Sequence, residues 1–179
     1  AQQVAEIFQT PLTGCYNWDY RVQDDRIRKL YELGKQLNWN VETDIDWNKP
    51  RTRLTPEQRD AIVAFKGYGP YEALSEEQKQ EFAEHENVWT LSQFLHGEQG
   101  ALLVASQLTS CAPTLNAKLY AASQTFDEAR HVEVFNKYLQ TKAGYMYPVD
   151  PALKSLLDKI LTDPRWDLKF IGMQLIIEG

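Results

Sequence analysis

The chain has 179 residues, 43% of them hydrophobic, and a formal net charge of −6 at pH 7. This length and composition predict a single structural domain with a substantial core, and the acidic balance argues against a nucleic-acid-binding protein. No apolar run approaches the length of a membrane span and no signal-peptide pattern opens the chain, so we expect a cytoplasmic protein without a membrane span.

Apolar residues recur with helical spacing over most of the chain, which predicts an all-α fold. Residues 1–20 are expected to form an irregular arm, followed by a helix over 21–38 and an extended segment over 39–54. In that segment, Trp39, Ile45 and Trp47 are expected to pack onto the helices. We therefore predict one structural domain in two parts: an N-terminal arm with one helix, residues 1–54, and a helical bundle, residues 55–179.

Residues that suit helix N-caps mark the elements of the bundle. Thr55, Ser75, Asp150 and Asp163 each stand before a helical pattern, and Ser75 opens a capping box. Residues 67–70, made of glycine, tyrosine and proline, predict a turn. The predicted helices cover residues 55–65, 75–109, 113–142, 151–161 and 164–179.

The two cysteines, Cys15 and Cys111, show no metal-binding spacing and are too few for a disulfide framework. We expect two reduced thiols that pack as small hydrophobic groups.

The most informative motif is Glu128-x-x-His131, read together with Glu98. Residues three apart share one face of a helix, so Glu128 and His131 can bind the same metal ion. Pro113 lies midway between Glu98 and Glu128 and predicts a helical hairpin whose equal arms bring both glutamates to one height. The neighbours of both glutamates one turn away are mainly apolar, and a buried carboxylate needs neutralisation or a cation. The sequence therefore predicts a metal site.

Further candidates lie close to these ligands on the predicted helices. Glu178 follows a mainly apolar face of the last helix and is a candidate ligand from a third helix, although an ordinary exposed glutamate is the alternative. Five residues lie beside or one turn away from a ligand and are candidates for a substrate pocket; for the two glutamines, a satisfied core amide fits equally well. These residues are Phe94, Gly97, Gln124, Phe135 and Gln174.

At Glu98, Glu128, His131 and Glu178 the chain resembles the ferritin-like di-iron carboxylate superfamily. The nearest branch is that of the ribonucleotide reductase small subunit and the bacterial di-iron monooxygenases, which have a similar Asp-Glu-x-Arg-His string. The resemblance implies a ferritin-like helical bundle in which these four residues are part of the ligand set of two iron ions, or of iron with manganese. It also implies that Asp127 and Arg130 orient histidine ligands.

The same resemblance implies an oxygen-activating oxidase or oxygenase that uses dioxygen and a small organic substrate. An electron-donor protein and a homodimer or larger assembly are the expected partners. Phe135 stands where the reductase subunits carry a radical tyrosine, which argues against a tyrosyl-radical generator. A second Glu-x-x-His motif does not occur after Glu178, so we expect a fragment with a bundle that is incomplete at its C-terminus.

Two alternatives stay open from the sequence. The first is a ferritin-like ferroxidase or iron-storage protein, against which the aromatic N-terminal arm and the two extra C-terminal helices count. The second is a metal-free structural subunit of the same fold, against which the retained Glu98, Glu128 and His131 count. The substrate and the identity of the metal do not follow from the sequence.

Overall fold

The structure is a computed structural model and describes residues 7–179. The first six residues of the predicted arm lie outside the described residues. Between residues 7 and 179 there are helices and no strand, which confirms the predicted all-α fold. The α-helices are α1 Asp25–Gln36, α2 Pro56–Ile62, α3 Gly69–Glu72, α4 Glu76–Cys111, α5 Leu115–Tyr138, α6 Pro151–Thr162 and α7 Trp166–Phe170.

Two α-helices continue as π-helices, in which each backbone bond spans one more residue than in an α-helix. α5 continues over Leu139–Ala143, and α7 continues over Ile171–Ile177. The helices predicted over 113–142 and 164–179 are therefore not α-helical throughout. The last one also ends earlier than predicted, because Glu178 is the C-cap residue.

α4 and α5 form the antiparallel hairpin that dominates the fold. Ser75 begins α4 with the predicted capping box, in which its side chain accepts from the Gln78 amide. α4 ends at Cys111, and the Thr114 side chain caps α5. Pro113 lies in the turn, one residue before the cap, instead of occupying the first helical position. The predicted hairpin about this proline is confirmed.

The main hydrophobic core lies where α6 and α7 pack across the C-terminal half of α4. Gly100 allows the close approach of α6, since an added Cβ there would lie 2.6 Å from Leu157. The buried Lys169 side chain donates to the carbonyl oxygens of Ile160, at 2.8 Å, and Leu161, so it stabilises the C-terminus of α6. The other buried core residues include Ala101, Val104, Leu108, Ala121 and Met173.

α1 packs on α5 but is shorter than the predicted helix over 21–38. It begins at Asp25 because the Asp24 side chain accepts from the Arg26 amide and caps the helix. None of its residues, all of which the structure describes, is buried. Its apolar stripe therefore lies at the surface, with Leu30 45% exposed and Leu33 47% exposed.

The segment 39–49 attaches to α5, as predicted for its tryptophans. Trp39 and Trp47 are half-buried, and so is Ile45. Lys142 donates to the carbonyl oxygens of Trp47 and of Lys49, the latter at 3.0 Å. These hydrogen bonds hold residues 47–49 against the end of the helix that continues α5.

The arm also contacts the α4–α5 turn through residues 14–17. The Cys15 amide donates to the Ser110 carbonyl at 3.1 Å, and the Asn17 side chain donates to the Pro113 carbonyl at 2.8 Å. Both cysteines are free thiols, and Cys111 is buried as predicted. Cys15 is exposed, so the prediction that it packs as a hydrophobic group is wrong. Its thiol lies over the turn and donates to a carbonyl oxygen 3.4 Å away.

Two further sequence predictions differ from the structure. The helix predicted over 55–65 ends at Ile62, because the backbone of Val63 is extended. The predicted turn at 67–70 overlaps the short helix α3, which follows the positive φ of Gly67. None of the helices between residues 7 and 179 combines the length and the apolar character that a membrane span requires.

Candidate metal centre

Three of the predicted ligands meet between α4 and α5. Glu98 lies near the middle of α4, and Glu128 and His131 lie one turn apart on α5. His131 Nδ1 is 3.2 Å from Glu98 Oε2 and 3.0 Å from Glu128 Oε2. One donor atom from each residue lies within 4.8 Å of the other two, so a single ion can contact all three.

The charges of these three groups are strongly coupled. The hydrogen bonds to Glu128 and Glu98 raise the pKa of His131 to about 10. Burial raises the pKa of Glu128, and the neighbouring Glu98 carboxylate adds to that rise. Burial also opposes the ionisation of Glu98, but its hydrogen bonds to His131 and Glu128 hold its pKa below the ordinary value. Two carboxylates at this distance favour a positive charge between them.

Glu178 lies outside this three-residue group. Its side chain follows the π-helix Ile171–Ile177, and its amide donates to the Met173 carbonyl at 3.0 Å. The Glu178 side chain is exposed. Desolvation by the atoms around it and the negative charges of Glu128 and Glu98 still raise its pKa to about 7. The charges of Glu98 and Glu128 therefore act on Glu178, although Glu178 is not one of the three residues whose donor atoms meet.

Asp127 and Arg130 lie beside the three-residue group on α5 and bind each other. Asp127 Oδ1 is 3.9 Å from His131 Nε2, which is longer than a hydrogen bond, and its side chain is 48% exposed. Arg130 is buried and donates to the Trp39 carbonyl at 3.1 Å. Its guanidinium lies 5.2 Å from the ring centre of Trp39 and 5.2 Å from that of Phe126. Arg130 thus joins α5 to the arm.

The predicted pocket residues separate into two places. Phe94 and Phe135 face each other across α4 and α5 with ring centres 5.9 Å apart. Gly97 is buried, yet an added Cβ would meet nothing within 4 Å, so open space adjoins it. Gln124 and Gln174 lie elsewhere, where the Gln124 amide donates to Gln174 Oε1 at 2.5 Å.

Trp39 is a neighbour of the site that sequence reasoning did not identify. Its ring lies 6.4 Å from the His131 ring, at an interplanar angle of 25°. The sequence predicts that Trp39 packs on the bundle but gives no signal for its partner, because the two residues are 92 positions apart. The segment 39–54, predicted to be extended, is irregular, with turns at 41–43 and 47–48. Contacts with Arg130 hold the Trp39 indole beside His131.

A helical hairpin that brings two glutamates and a histidine of a Glu-x-x-His motif together defines the class of ferritin-like helical carboxylate proteins. The model of the family p-aminobenzoate N-oxygenase AurF matches residues 21–172, and the chain belongs to that family. The family is one of di-iron, ferritin-like oxygenases, which confirms the predicted superfamily. No curated protein and no solved structure matches the chain significantly.

Oxygenases of this family use iron and dioxygen on an organic substrate, so membership supports an oxidoreductase. The predicted classes of oxidoreductase and di-iron protein are confirmed at the level of the family, and the specific activity is not.

Proposed function

We propose that the chain supplies part of the di-iron centre of an N-oxygenase that transfers an oxygen atom to the amino group of an organic amine. The observation that supports this most is the meeting of Glu98, Glu128 and His131 within 4.8 Å. The family's name refers to p-aminobenzoate, so an aromatic amine is the substrate class from which the proposal starts.

The proposed ligand set is Glu98, Glu128, His131 and Glu178. Glu98, Glu128 and His131 would hold the metal where their donor atoms meet, and Glu178 would contribute a further carboxylate from the last helix. Carboxylate oxygens and an imidazole nitrogen are suitable donors for ferrous and ferric iron, and for manganese. The donor set fits a metal because its atoms converge: His131 Nδ1 lies 3.2 Å from Glu98 Oε2 and 3.0 Å from Glu128 Oε2. A metal ion would take the place of the proton that His131 shares with the carboxylates. When bound, the metal pair supplies the activation of dioxygen.

The other residues of the chain would hold and isolate this centre. Glu128 is only 6% exposed, and its buried side chain keeps water from one side of the site. Asp127 and Arg130 are proposed to orient a histidine ligand in the metal-bound protein. Without the metal, Asp127 lies 3.9 Å from His131 and Arg130 binds Asp127 and the Trp39 carbonyl. Phe94, Gly97 and Phe135 are proposed pocket residues beside the ligands, because an added Cβ at Gly97 would meet nothing within 4 Å and the two rings lie 5.9 Å apart.

Iron loading of matched variants tests the ligand assignment. The 179-residue chain would be incubated with ferrous iron without oxygen, desalted and assayed for iron. His131→Ala should lose most of the iron, because it removes the only nitrogen donor of the group. His85→Ala should load like the wild type, since the His85 side chain is exposed and hydrogen-bonds Tyr147 instead. Full loading of His131→Ala would remove His131 from the ligand set.

The same preparation, supplied with dioxygen, a reductant and an aromatic amine, distinguishes the proposal from its alternatives. Oxygenated amine that depends on Glu98 and His131 supports the N-oxygenase. Iron uptake and oxidation without any organic product would support the iron-storage alternative. Absence of iron binding in the wild type would support a metal-free subunit. An electron-donor protein and a homodimer or larger assembly remain proposed partners.

A further inference from the structure

The two cysteines of the chain lie together where the N-terminal arm meets the turn between α4 and α5. Cys15 Sγ is 3.4 Å from the Ala112 carbonyl oxygen and 3.7 Å from the Cys111 carbonyl oxygen. Cys111 is the last residue of α4. The fold thus makes neighbours of two cysteines that are 96 positions apart in sequence.

The backbone spacing at this contact suits a disulfide. The Cys15 amide donates to the Ser110 carbonyl at 3.1 Å, and that carbonyl belongs to the peptide group that leads into Cys111. The covalent bonds on either side of this hydrogen bond put the Cα atoms of the two cysteines within about 7 Å of each other. Disulfides usually join Cα atoms about 4.4–6.8 Å apart, so a small movement of the arm is enough.

The two thiols differ in their access to solvent. The Cys15 side chain is exposed. Cys111 is 8% exposed and belongs to the main hydrophobic core, against which Leu12 of the arm also packs. A small oxidant from solvent therefore reaches Cys15 first, and Cys111 is the protected thiol beside it.

Positive charges lie close to the buried thiol. Lys118 Nζ donates to the Thr109 carbonyl at 3.3 Å and to the Ser110 carbonyl at 2.5 Å. Burial raises the pKa of the Cys111 thiol, and the positive charges of Lys118 and Lys169 oppose that rise. A cation beside a thiol favours the thiolate, which is the form that attacks another sulfur atom.

We propose that Cys15 and Cys111 form a reversible disulfide that fastens the N-terminal arm to the α4–α5 turn when hydrogen peroxide is present. Peroxide oxidises the Cys15 thiol: the O–O bond breaks, one oxygen becomes the hydroxyl of a sulfenic acid and the other leaves as water. The Cys111 thiolate then attacks the Cys15 sulfur, and the sulfenic hydroxyl leaves as a second water with the proton of Cys111. A dithiol reductant returns two electrons and two protons and restores both thiols.

The consequence of this bond is a change in how firmly the arm is held. In the reduced chain the arm is attached at this point by a few hydrogen bonds, and Tyr16 and Trp18 beside them are 84% and 75% exposed. Such a segment opens easily without unfolding of the core. A covalent bond from Cys15 to α4 would keep the arm in place, and it does so whether or not the chain binds iron.

Peroxide treatment of the metal-free 179-residue chain tests the bond directly. Thiol titration of the denatured protein should find two thiols in the reduced chain, none after treatment, and two again after dithiothreitol. Trypsin digestion without reductant should release one species in which residues 1–21 are joined to residues 80–118, because neither peptide contains an internal lysine or arginine. A non-reducing gel should show no covalent link between two chains.

Moving the thiol by one residue provides the matched control. Cys15→Ser combined with Tyr16→Cys keeps one cysteine in the arm, but position 16 is 84% exposed and faces away from the turn. Its link to residues 80–118 should form at least about tenfold more slowly than in the wild type, because the disulfide geometry is lost. Cys111→Ala should instead stop at the sulfenic acid of Cys15, which dimedone traps. Circular dichroism would check that both variants keep their helices.

Limited trypsin digestion measures the effect on the arm. In the oxidised chain the cut after Arg21 should be at least about threefold slower than in the reduced chain, since residues on both sides of it are then held. The cut after Arg53, which is exposed and outside the arm's contact with the turn, is the internal control and should keep its rate.

Several results would overturn the proposal. Two remaining thiols after treatment, or loss of thiols without the joined peptides, would mean that the pair does not form a disulfide. A link between two chains would make Cys15 an intermolecular site. Equal rates in the wild type and the shifted-thiol variant would show that the folded arm does not direct the reaction. A disulfide that leaves the cut after Arg21 unchanged would refute its role in holding the arm.

Discussion

At the scale of single residues, Arg130 is a buried charged group that several different contacts hold in place. Its guanidinium is buried between two aromatic rings and binds Asp127 and the Trp39 carbonyl, while its Nε has no partner among the described residues. A planar guanidinium can stack on both rings and donate in its plane at the same time, which an ammonium cannot do. Arg130 therefore holds Trp39 of the arm against the part of α5 that carries Glu128 and His131.

Replacing this arginine by lysine is expected to loosen that arrangement. Arg130→Lys keeps the charge but loses the stacking and the bond to Trp39, so it should destabilise the chain by about 1–3 kcal/mol. Chemical denaturation followed by tryptophan fluorescence would measure the loss. Arg28→Lys, on the exposed face of α1, is the matched control and should change the free energy of unfolding little. Equal stability of the two variants would mean that Arg130 is not a structural link.

At the scale of helices, the close packing of α4 and α6 depends on the absence of a side chain at Gly100. A Cβ there would lie 2.6 Å from Leu157 Cδ2, and Leu157 is itself buried in the core. One turn earlier, Gly97 adjoins open space, so the two glycines of this helix have opposite surroundings.

Alanine at these two positions should therefore have opposite effects. Gly100→Ala should lower the free energy of unfolding by about 1–3 kcal/mol, because Leu157 must move inside a packed core. Gly97→Ala meets no atom and should raise it by about 0.5–1 kcal/mol through its better helix propensity. Thermal unfolding of both variants checks the signs. A neutral Gly100→Ala would show that Leu157 can shift without cost.

The helices also show where sequence reasoning succeeds and where it stops. The α4–α5 hairpin followed from Pro113 and from the equal distances to Glu98 and Glu128, because helical rise is regular. The side of the last helix on which Glu178 lies did not follow from the sequence. The spacing was read as α-helical, whereas the backbone over Ile171–Ile177 is π-helical. No residue near Ile171 marks the change from α-helical to π-helical bonding, so the sequence does not reveal it. The contact of Trp39 with His131 was missed for a related reason: an irregular segment has no periodicity that identifies its partner.

At the scale of the whole molecule, the N-terminal arm connects points that are far apart in sequence. Residues 14–17 lie against the turn between α4 and α5, and residues 39–49 lie against α5. Most of the arm's large side chains stay exposed even so, among them Tyr16 and Trp18. An element with few buried contacts opens without unfolding of the core.

Gly14→Ala is expected to release the first part of the arm. Its Cβ would lie 2.7 Å from Ser110 Oγ, beside the hydrogen bond between the Cys15 amide and the Ser110 carbonyl. Limited trypsin digestion should then cut after Arg21 several times faster than in the wild type, while the melting temperature stays the same. Gly69→Ala, whose added Cβ would meet no atom within 4 Å, serves as the control. A lower melting temperature in Gly14→Ala would instead make the arm part of the cooperative core.

Deleting one residue from the π-helix Ile171–Ile177 would disturb the chain less than the same deletion in α4. A π-helix holds about one residue more per turn than an α-helix, so a shortened segment can return to α-helical bonding without rotating the residues after it. In α4, a deletion between Glu98 and Cys111 would rotate Glu98 by about 100° relative to the hairpin turn. Related chains that differ in length are therefore expected to gain or lose residues before Glu178 and to keep the number of residues between Glu98 and Glu128.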